Sequence, residues 1–289
     1  PTWQSGKAYG IYVRATDIAG NPSATLNYNF TFDDQKPGVS ISAPNDVTPG
    51  DDSAPRISSG TVYTISGNSS DAGPSGVKGV KLRIRENTIT LKYWQAGSVY
   101  GQAAYVVTDP ESAWFDAKTS DGWVTWNTTF TWISDSRFRI EAKVEDNGGN
   151  WSAGYSTSSF VYDVDKPTSS VEYPVSGSTV KDIDTVKVWG KYGETGSFNK
   201  GTVTNVKIGI KRLSDEQWWN GVGLFNQGSA PDIDASIAPS SWTYSGIGNG
   251  NLTSGTSYYI TVKALDNASP ANDEGFYGIR SSTFTFDNV

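Results

Sequence analysis

The sequence predicts an all-β chain of tandem β-sandwiches arranged end to end as a rod. Three observations lead there. A pair of alternating strands around an Asp-opened loop occurs three times, and apolar and polar residues alternate with period two between turn signals. No segment carries a sustained helical period.

Residues 1–36 carry YGIYVRATDIAGNPS followed by NFTFDDQKP. This reads as an alternating strand, a polar loop opened by Asp17, and a second strand closing in Phe-x-x-Asp. These are the last two strands of a unit whose other strands are missing. A lone hairpin is marginal in water. Its apolar face (Ile11, Val13, Ala15, Phe30, Phe32) therefore needs cover, either from a longer parent chain or from another copy. The opening PTWQSGKAYG has neither an initiating Met nor a signal-peptide pattern, so the chain reads as a processed product or a piece of something longer.

Residues 37–166 and 167–289 form two complete units. FRIEAKVEDNGGNWS with SFVYDVDKP, and YYITVKALDNASPAND with TFTFDNV, repeat the pattern. Asp17, Asp146 and Asp266 fall 129 and 120 residues apart; Asp33, Asp163 and Asp287 fall 130 and 124 apart. Upstream, TVYTISGNSSDAGPSGVKGVKLRIRE lines up with TVKVWGKYGETGSFNKGTVTNVKIGIKR. In VKGVKLRIR, Val80, Leu82 and Ile84 point one way, and Lys81, Arg83 and Arg85 are expected in water as a solvated basic edge. Lys36-Pro37 and Lys166-Pro167 mark the boundaries, since Pro cannot donate within a sheet and suits the start of a first strand. Linkers this short cannot act as flexible tethers.

Composition narrows the chemistry. The 289 residues include no Cys and no His, which excludes disulfides, thiol chemistry, Cys- or imidazole-ligated metals and a Ser-His-Asp relay. A net charge of -7 makes a nucleic-acid partner implausible, and no run is long and apolar enough for membrane insertion as a helix. The acidic pairs Asp215/Glu216 and Asp232/Asp234 lie in no context that supports glycosidase chemistry. GIGNG has neither a following helix nor the Lys of a phosphate loop. Catalysis is not expected. Sequons at Asn29, Asn68, Asn127, Asn150, Asn251 and Asn267 permit surface glycosylation, although a Ser/Thr/Asn-rich chain produces such matches by chance.

Strand direction places candidate ligands. In a seven-strand sandwich the loops between strands two and three and between strands six and seven return to the pole where the unit begins. Near the first boundary this gathers Asp33, Asp34, Asp71, Asp146 and Asn150; near the second it gathers Asp163, Asp165, Glu194, Asp266 and Asp273. Converging carboxylates and carbonyls form a hard-oxygen site that suits calcium at interdomain junctions. The plainer alternative is that these Asx residues only close their own turns.

Each full unit also carries an aromatic insertion. KYWQAGSVYGQAAYVV and AWFDAKTSDGWVTWNTTFTW in one match EQWWNGVGLFNQ and SSWTYSG in the other. Trp94 corresponds to Trp218 or Trp219, and Trp123 or Trp126 to Trp242. Recurrence favours a core role, with rings supplying burial that few aliphatics provide. The sharper alternative puts Trp94, Trp218 and Trp219 in contact with a surface glycan or protein, the adjacent Trp218 and Trp219 pointing to opposite faces.

A-x-D-x-A-G-N in RATDIAGN, the looser KVEDNGGN and KALDNASPAN, and the FxxD-x-x-x-P linkers resemble bacterial immunoglobulin-like (fibronectin type III/cadherin-like) repeats of large cell-surface adhesin or filament proteins. The resemblance implies Ig-like sandwiches acting as extenders, some with calcium at their junctions, in an extracellular, cell-surface setting. The third copy departs from it, with NASPAND in place of the Gly-Asn turn. The expected role is a non-catalytic spacer whose partners are neighbouring Ig-like repeats of the same or another copy. Alternatives are a self-assembling filament or surface-layer subunit completed by strand exchange, and a carbohydrate-binding accessory module.

Overall fold

A computed structural model describes residues 2–44, 54–58, 62–98, 102–276, 278 and 280–289. Residues 99–101 of the first aromatic insertion lie outside them. The secondary structure is β throughout, interrupted by three short 3₁₀ turns, with no α-helix among the described residues. The chain separates into two compact units. One comprises residues 1–55, 61–133 and 137–160, and the other residues 56–60, 134–136 and 161–289.

The first unit begins with the antiparallel hairpin of β1 (Ala8–Val13) and β2 (Leu26–Thr31). Its apolar side chains are largely uncovered: Ile11, Val13, Leu26 and Tyr28 are all exposed, and only Trp3, Tyr9 and Phe30 form a small ring cluster. The sandwich proper follows. One sheet pairs β3 (Gly38–Ala43), β5 (Val62–Ser70) and β10 (Thr125–Thr131) in the order β10-β5-β3. The other runs β12-β11-β6-β7-β8, from β6 (Val77–Glu86), β7 (Tyr93–Trp94), β8 (Tyr105–Val107), β11 (Ser136–Asp146) and β12 (Ser156–Tyr162), with β9 (Phe115–Asp116) also on β6.

Alternation explains the core. Along β10 burial switches at every residue and turns Trp126, Thr128 and Phe130 inward. In the other sheet Val80, Leu82 and Ile84 of β6 and Phe138, Ile140, Ala142 and Val144 of β11 are all fully buried. Rings fill the middle: Trp132 lies 4.6 to 4.8 Å from Phe130, Phe138 and Phe160, spacings typical of favourable aromatic pairs.

The second unit repeats the plan. β13 (Thr168–Tyr173), β15 (Val188–Gly193), β20 (Ser236–Ala238) and β21 (Ser241–Tyr244) pair as β13-β15-β21-β20. Opposite them β14 (Thr179–Val180), β16 (Asn205–Arg212), β17 (Trp218–Trp219), β18 (Phe225–Gln227), β22 (Thr256–Leu265) and β23 (Ser282–Phe286) pair as β14-β23-β22-β16-β17-β18, with β19 (Ile233–Asp234) on β16. The parallel pair β14–β23 has its counterpart in β4 (Arg56–Ile57), which pairs in parallel with Val161 and Tyr162. Both units are thus Ig-like β-sandwiches with the same strand order, the second adding β20 at the edge of one sheet.

A glycine–tryptophan pair recurs in both. Trp126 lies directly across the ladder from Gly67, and Trp242 across from Gly190. A Cβ on Gly67 would fall 2.2 Å from the Trp126 ring, and one on Gly190 2.8 Å from the Trp242 ring. The missing side chain is what lets each indole lie flat over the strand.

One expectation is overturned here. Arg83 is not part of a solvated edge; it is 6% exposed. The aromatic insertion folds back over the outer face of β6 and covers it. The Arg83 guanidinium pairs with Glu141, donates to the Pro110 carbonyl at 3.1 Å, meets Glu111 at 3.0 Å, and lies 4.4 Å from the Trp114 ring and 4.9 Å from that of Tyr155. A planar guanidinium suits such stacking. In the second unit the corresponding ladder position is Gly209, paired with Thr261 where Arg83 pairs with Glu141, and the Trp218 ring covers it instead.

Candidate functional site

All three repeats close the Asp-opened loop in the same way. Asp17 accepts from the Asn21 amide at 2.8 Å and from its side chain at 3.0 Å; Asp146 accepts from Asn150 at 2.8 and 2.9 Å. The third copy has no Asn at that spacing, and Asn272, two residues further on, takes the role with both contacts to Asp266 at 2.8 Å. In the two sandwiches the same Asn side chain also reaches back to the Asp that ends the preceding repeat, from Asn150 to the Asp33 carbonyl at 3.2 Å and from Asn272 to the Asp163 carbonyl at 3.0 Å.

Around these clamps lie two acidic clusters, one in each unit. In the first, carboxylate oxygens of Asp33, Asp71 and Asp146 come within 4.8 Å of one another. Asp71 follows β5 and accepts from the amides of Gly73 at 2.9 Å and Gly76 at 2.8 Å. Asp33 accepts from the amides of Ser75 and Gln35. Hydrogen bonding, chiefly from Ser75, holds its carboxyl below the usual range. Asp146 is fully buried. Asp34 is exposed and outside the trio. Among the described residues no salt bridge reaches these three carboxylates. Oxygens sharing one calcium ion lie within about 5 Å, given bonds of roughly 2.3–2.6 Å, and each of the three carboxylates has an oxygen that accepts a single hydrogen bond and keeps a lone pair, Asp33 Oδ2, Asp71 Oδ1 and both oxygens of Asp146. The donor set therefore fits calcium, with Asn150 as a positioning residue.

The second cluster holds Asp163, Glu194 and Asp266, with a built-in cation. Arg56 reaches Asp163 at 3.1 Å and donates to the carbonyls of Asn199 at 2.5 Å and Lys200 at 2.6 Å. Glu194 Oε1 is buried without a hydrogen-bond partner. Burial, then the neighbouring Asp266 and Asp163, pushes the Glu194 carboxyl up to about 7. Burial raises Asp163 as well. Asp165 stands beside Asp163, its amide donating to that carboxylate at 3.2 Å. Asp273 is drawn away into a pair with Lys263 at 2.9 Å. Neither Arg56 nor Asn272 is singled out by sequence reasoning.

Two of the three aromatic contact candidates, Trp94 and Trp219, are core residues instead. Trp94 is 9% and Trp219 1% exposed, with Trp219 Nε1 donating to the Tyr244 hydroxyl at 3.0 Å. Both belong to their cores, because β7 and β17 each turn their second residue inward. Trp218 stays half-buried over Gly209, packed against Tyr259. Among the sequons, Asn29, Asn68, Asn127, Asn251 and Asn267 are exposed. Asn150 is half-buried, and its amide nitrogen is committed to Asp33 and Asp146, so a glycan there would break the clamp.

No family model and no curated protein sequence matches the chain. Among solved structures it is similar to fibronectin(III)-like modules of Clostridium thermocellum CbhA, at 12% identity over 86% of this chain and 94% of that one, with a TM-score of 0.37. It is similar to a 1.5-MDa bacterial ice-binding adhesin structure at 14% identity, over 98% and 75%, with a TM-score of 0.36. A tetra-tandem repeat from the extending region of a large adhesion protein matches at 13% identity, over 97% and 57%, with a TM-score of 0.32. At scores this low the sandwich assignment rests on the strand order and register themselves.

Proposed function

We propose that the chain is a non-catalytic spacer segment of a large extracellular, cell-surface protein of the adhesin type, and that its first acidic cluster takes calcium. One observation carries the reading: two sandwiches of matching strand order apart from one added edge strand, each tying its Asp–Asn clamp to the Asp that ends the preceding repeat. That is the construction of a repeating mechanical module. The acidic pairs support a non-catalytic role, since Asp215 and Glu216 are paired with Arg212 and Lys211, and Asp232 and Asp234 with Lys263 and Lys207. Hydrogen bonding to Arg212 and Lys207 holds Asp215 and Asp234 below the ordinary carboxyl range, the opposite of what a general acid needs. The uncovered face of the β1–β2 hairpin favours assembly with another copy as the second reading.

Sedimentation and thermal unfolding of the purified chain, each with calcium and with chelator, separate these. The spacer reading expects a monomer at every concentration and a transition that calcium raises in the wild type but not in Asp71→Asn. Concentration-dependent polymers would replace the spacer with the assembly reading, and a melting curve indifferent to chelator would remove the calcium.

A further inference from the structure

The sheet face that carries Arg83 also holds a cleft of about 400 Å³ that neither the core nor the acidic clusters use. Its floor is Gly79 of β6, and Trp123 and Trp151 line it. Lys78 with Glu145, 3.1 Å apart, and Lys81 with Asp116, 2.7 Å apart, also line it. Its volume lies in the usual range for small-ligand sites, roughly 300–1,000 Å³.

Three features distinguish this cleft from ordinary surface. Trp123 sits at φ 74°, a left-handed conformation that a bulky residue adopts only when its surroundings force it. Here the Thr119 hydroxyl accepts from its amide at 3.0 Å and the Ser69 hydroxyl donates to its carbonyl. Gly79 interrupts an otherwise side-chain-rich strand, and even a Cβ there would stay 3.9 Å from the Trp123 ring, so the fold does not require glycine at this point. It lies opposite Glu145 where the β6–β11 ladder bulges, and its bare backbone leaves the floor of the cleft open. Trp151 forms an isolated bridge with Glu145, and in the second unit the matching bridge joins Leu265 to Asp273. The sandwich therefore closes equally well with no ring at that position.

We propose that this cleft binds a neutral pyranose of a surface or matrix glycan. The four charged groups cancel in pairs, so the cleft offers no net field for an anion or a metal cation. Each ion pair still presents unused donors and acceptors of both kinds, which is what vicinal hydroxyls require. The rings supply the apolar surface on which the C–H face of a sugar stacks. An apolar peptide would leave both ion pairs desolvated without new partners. The binding role is separate from the spacer role: sedimentation and calcium tests can fail while the cleft binds, and the reverse.

The test is titration of the full chain with cellopentaose, maltopentaose, chitopentaose and mannopentaose, with pentagalacturonate as the anionic comparison, followed by calorimetry and by the indole N–H signals in NMR. The expected result is one neutral oligosaccharide that binds one to one and shifts the Trp123 and Trp151 indole signals. Trp151→Asp, which installs the residue the second unit carries at the matching bridge, should weaken binding by about tenfold or more, equivalent to about 1.4 kcal/mol, with the unfolding transition retained. Trp123→Phe, which keeps a ring on the strained turn, should weaken it less. No shift at about 10 mM of any neutral sugar, well above the millimolar affinity expected of a shallow site, would overturn the proposal. Undiminished binding by Trp151→Asp, or preference for pentagalacturonate, would overturn it too.

Discussion

Replacing Gly190 by Ala adds one methyl group to the second sandwich, at the place where the Trp242 indole lies across the ladder. That Cβ would stand 1.9 Å from the Ser170 carbonyl oxygen on β13 and 2.8 Å from the indole. Ordinary contact begins near 3.4 Å, so β13 must retreat by roughly 1.5 Å and the indole must shift as well. The Ser170 carbonyl also accepts the Trp242 Nε1 hydrogen bond at 3.0 Å, so parting the two loses that bond. Overpacking costs about 1–3 kcal/mol and a broken buried hydrogen bond about 1 kcal/mol more. The expected destabilisation is about 3 kcal/mol, read from urea unfolding followed by tryptophan fluorescence. Gly193, at the end of the same strand with nothing within 4 Å of its would-be Cβ, is the matched control. Gly193→Ala should be neutral or stabilising by up to about 1 kcal/mol through the unfolded state. If the two variants unfold alike, packing of Trp242 on Gly190 does not hold the sheet.

Two further perturbations follow from the buried charges. Arg83→Ala removes the buried partner of Glu141, which is 7% exposed and keeps the more exposed Arg139 at 3.1 Å, and should cost about 2–3 kcal/mol in urea unfolding; a loss under about 1 kcal/mol would mean that Arg139 alone balances Glu141. Glu194 has a folded-state value raised to about 7 from an ordinary 4.5, so the folded state holds the proton more tightly than the unfolded one. Its contribution is most favourable below pH 4.5 and is lost as pH rises towards and past 7. Unfolding transitions of Glu194→Gln measured across that window should therefore fall less steeply with pH than those of the wild type, and parallel slopes would refute the assignment.

The fold was legible because its signals are local. Alternation in VKGVKLRIR and FRIEAKVED fixes which residues face the core, and the recurrent Asp loops fix the repeat. Strand direction then brought Asp33, Asp71 and Asp146 together from three distant segments. The misreadings share a physical origin in long-range return of the chain. Arg83 looks exposed because alternation knows two faces of a strand and not that residues 110–116 come back to cover one of them. Arg56 makes its contact 107 residues away, from a segment with no pattern of its own. Asn272 was hidden by loop length, standing six residues after its Asp where Asn150 stands four after.

The two acidic clusters share a frame and differ in what balances their charge. Each takes one Asp from the end of a preceding strand, one acid just after the second strand of the sandwich and one Asp from the clamp. Three carboxylates so placed repel one another, and the repulsion grows as water is excluded. In the first unit backbone amides of Gly73, Ser75 and Gly76 and the Asn150 clamp spread the charge, and the trio is left open to a divalent ion. In the second, the Arg56 guanidinium supplies a positive charge from within the chain, and Glu194 meets the remaining repulsion by holding its proton to higher pH. A cation carried on a side chain cannot be removed by chelator. The clamp and its strands alone do not determine metal dependence, which follows from whether a basic side chain already occupies the cluster, so calcium should raise the transition of the first unit and leave that of the second where it is.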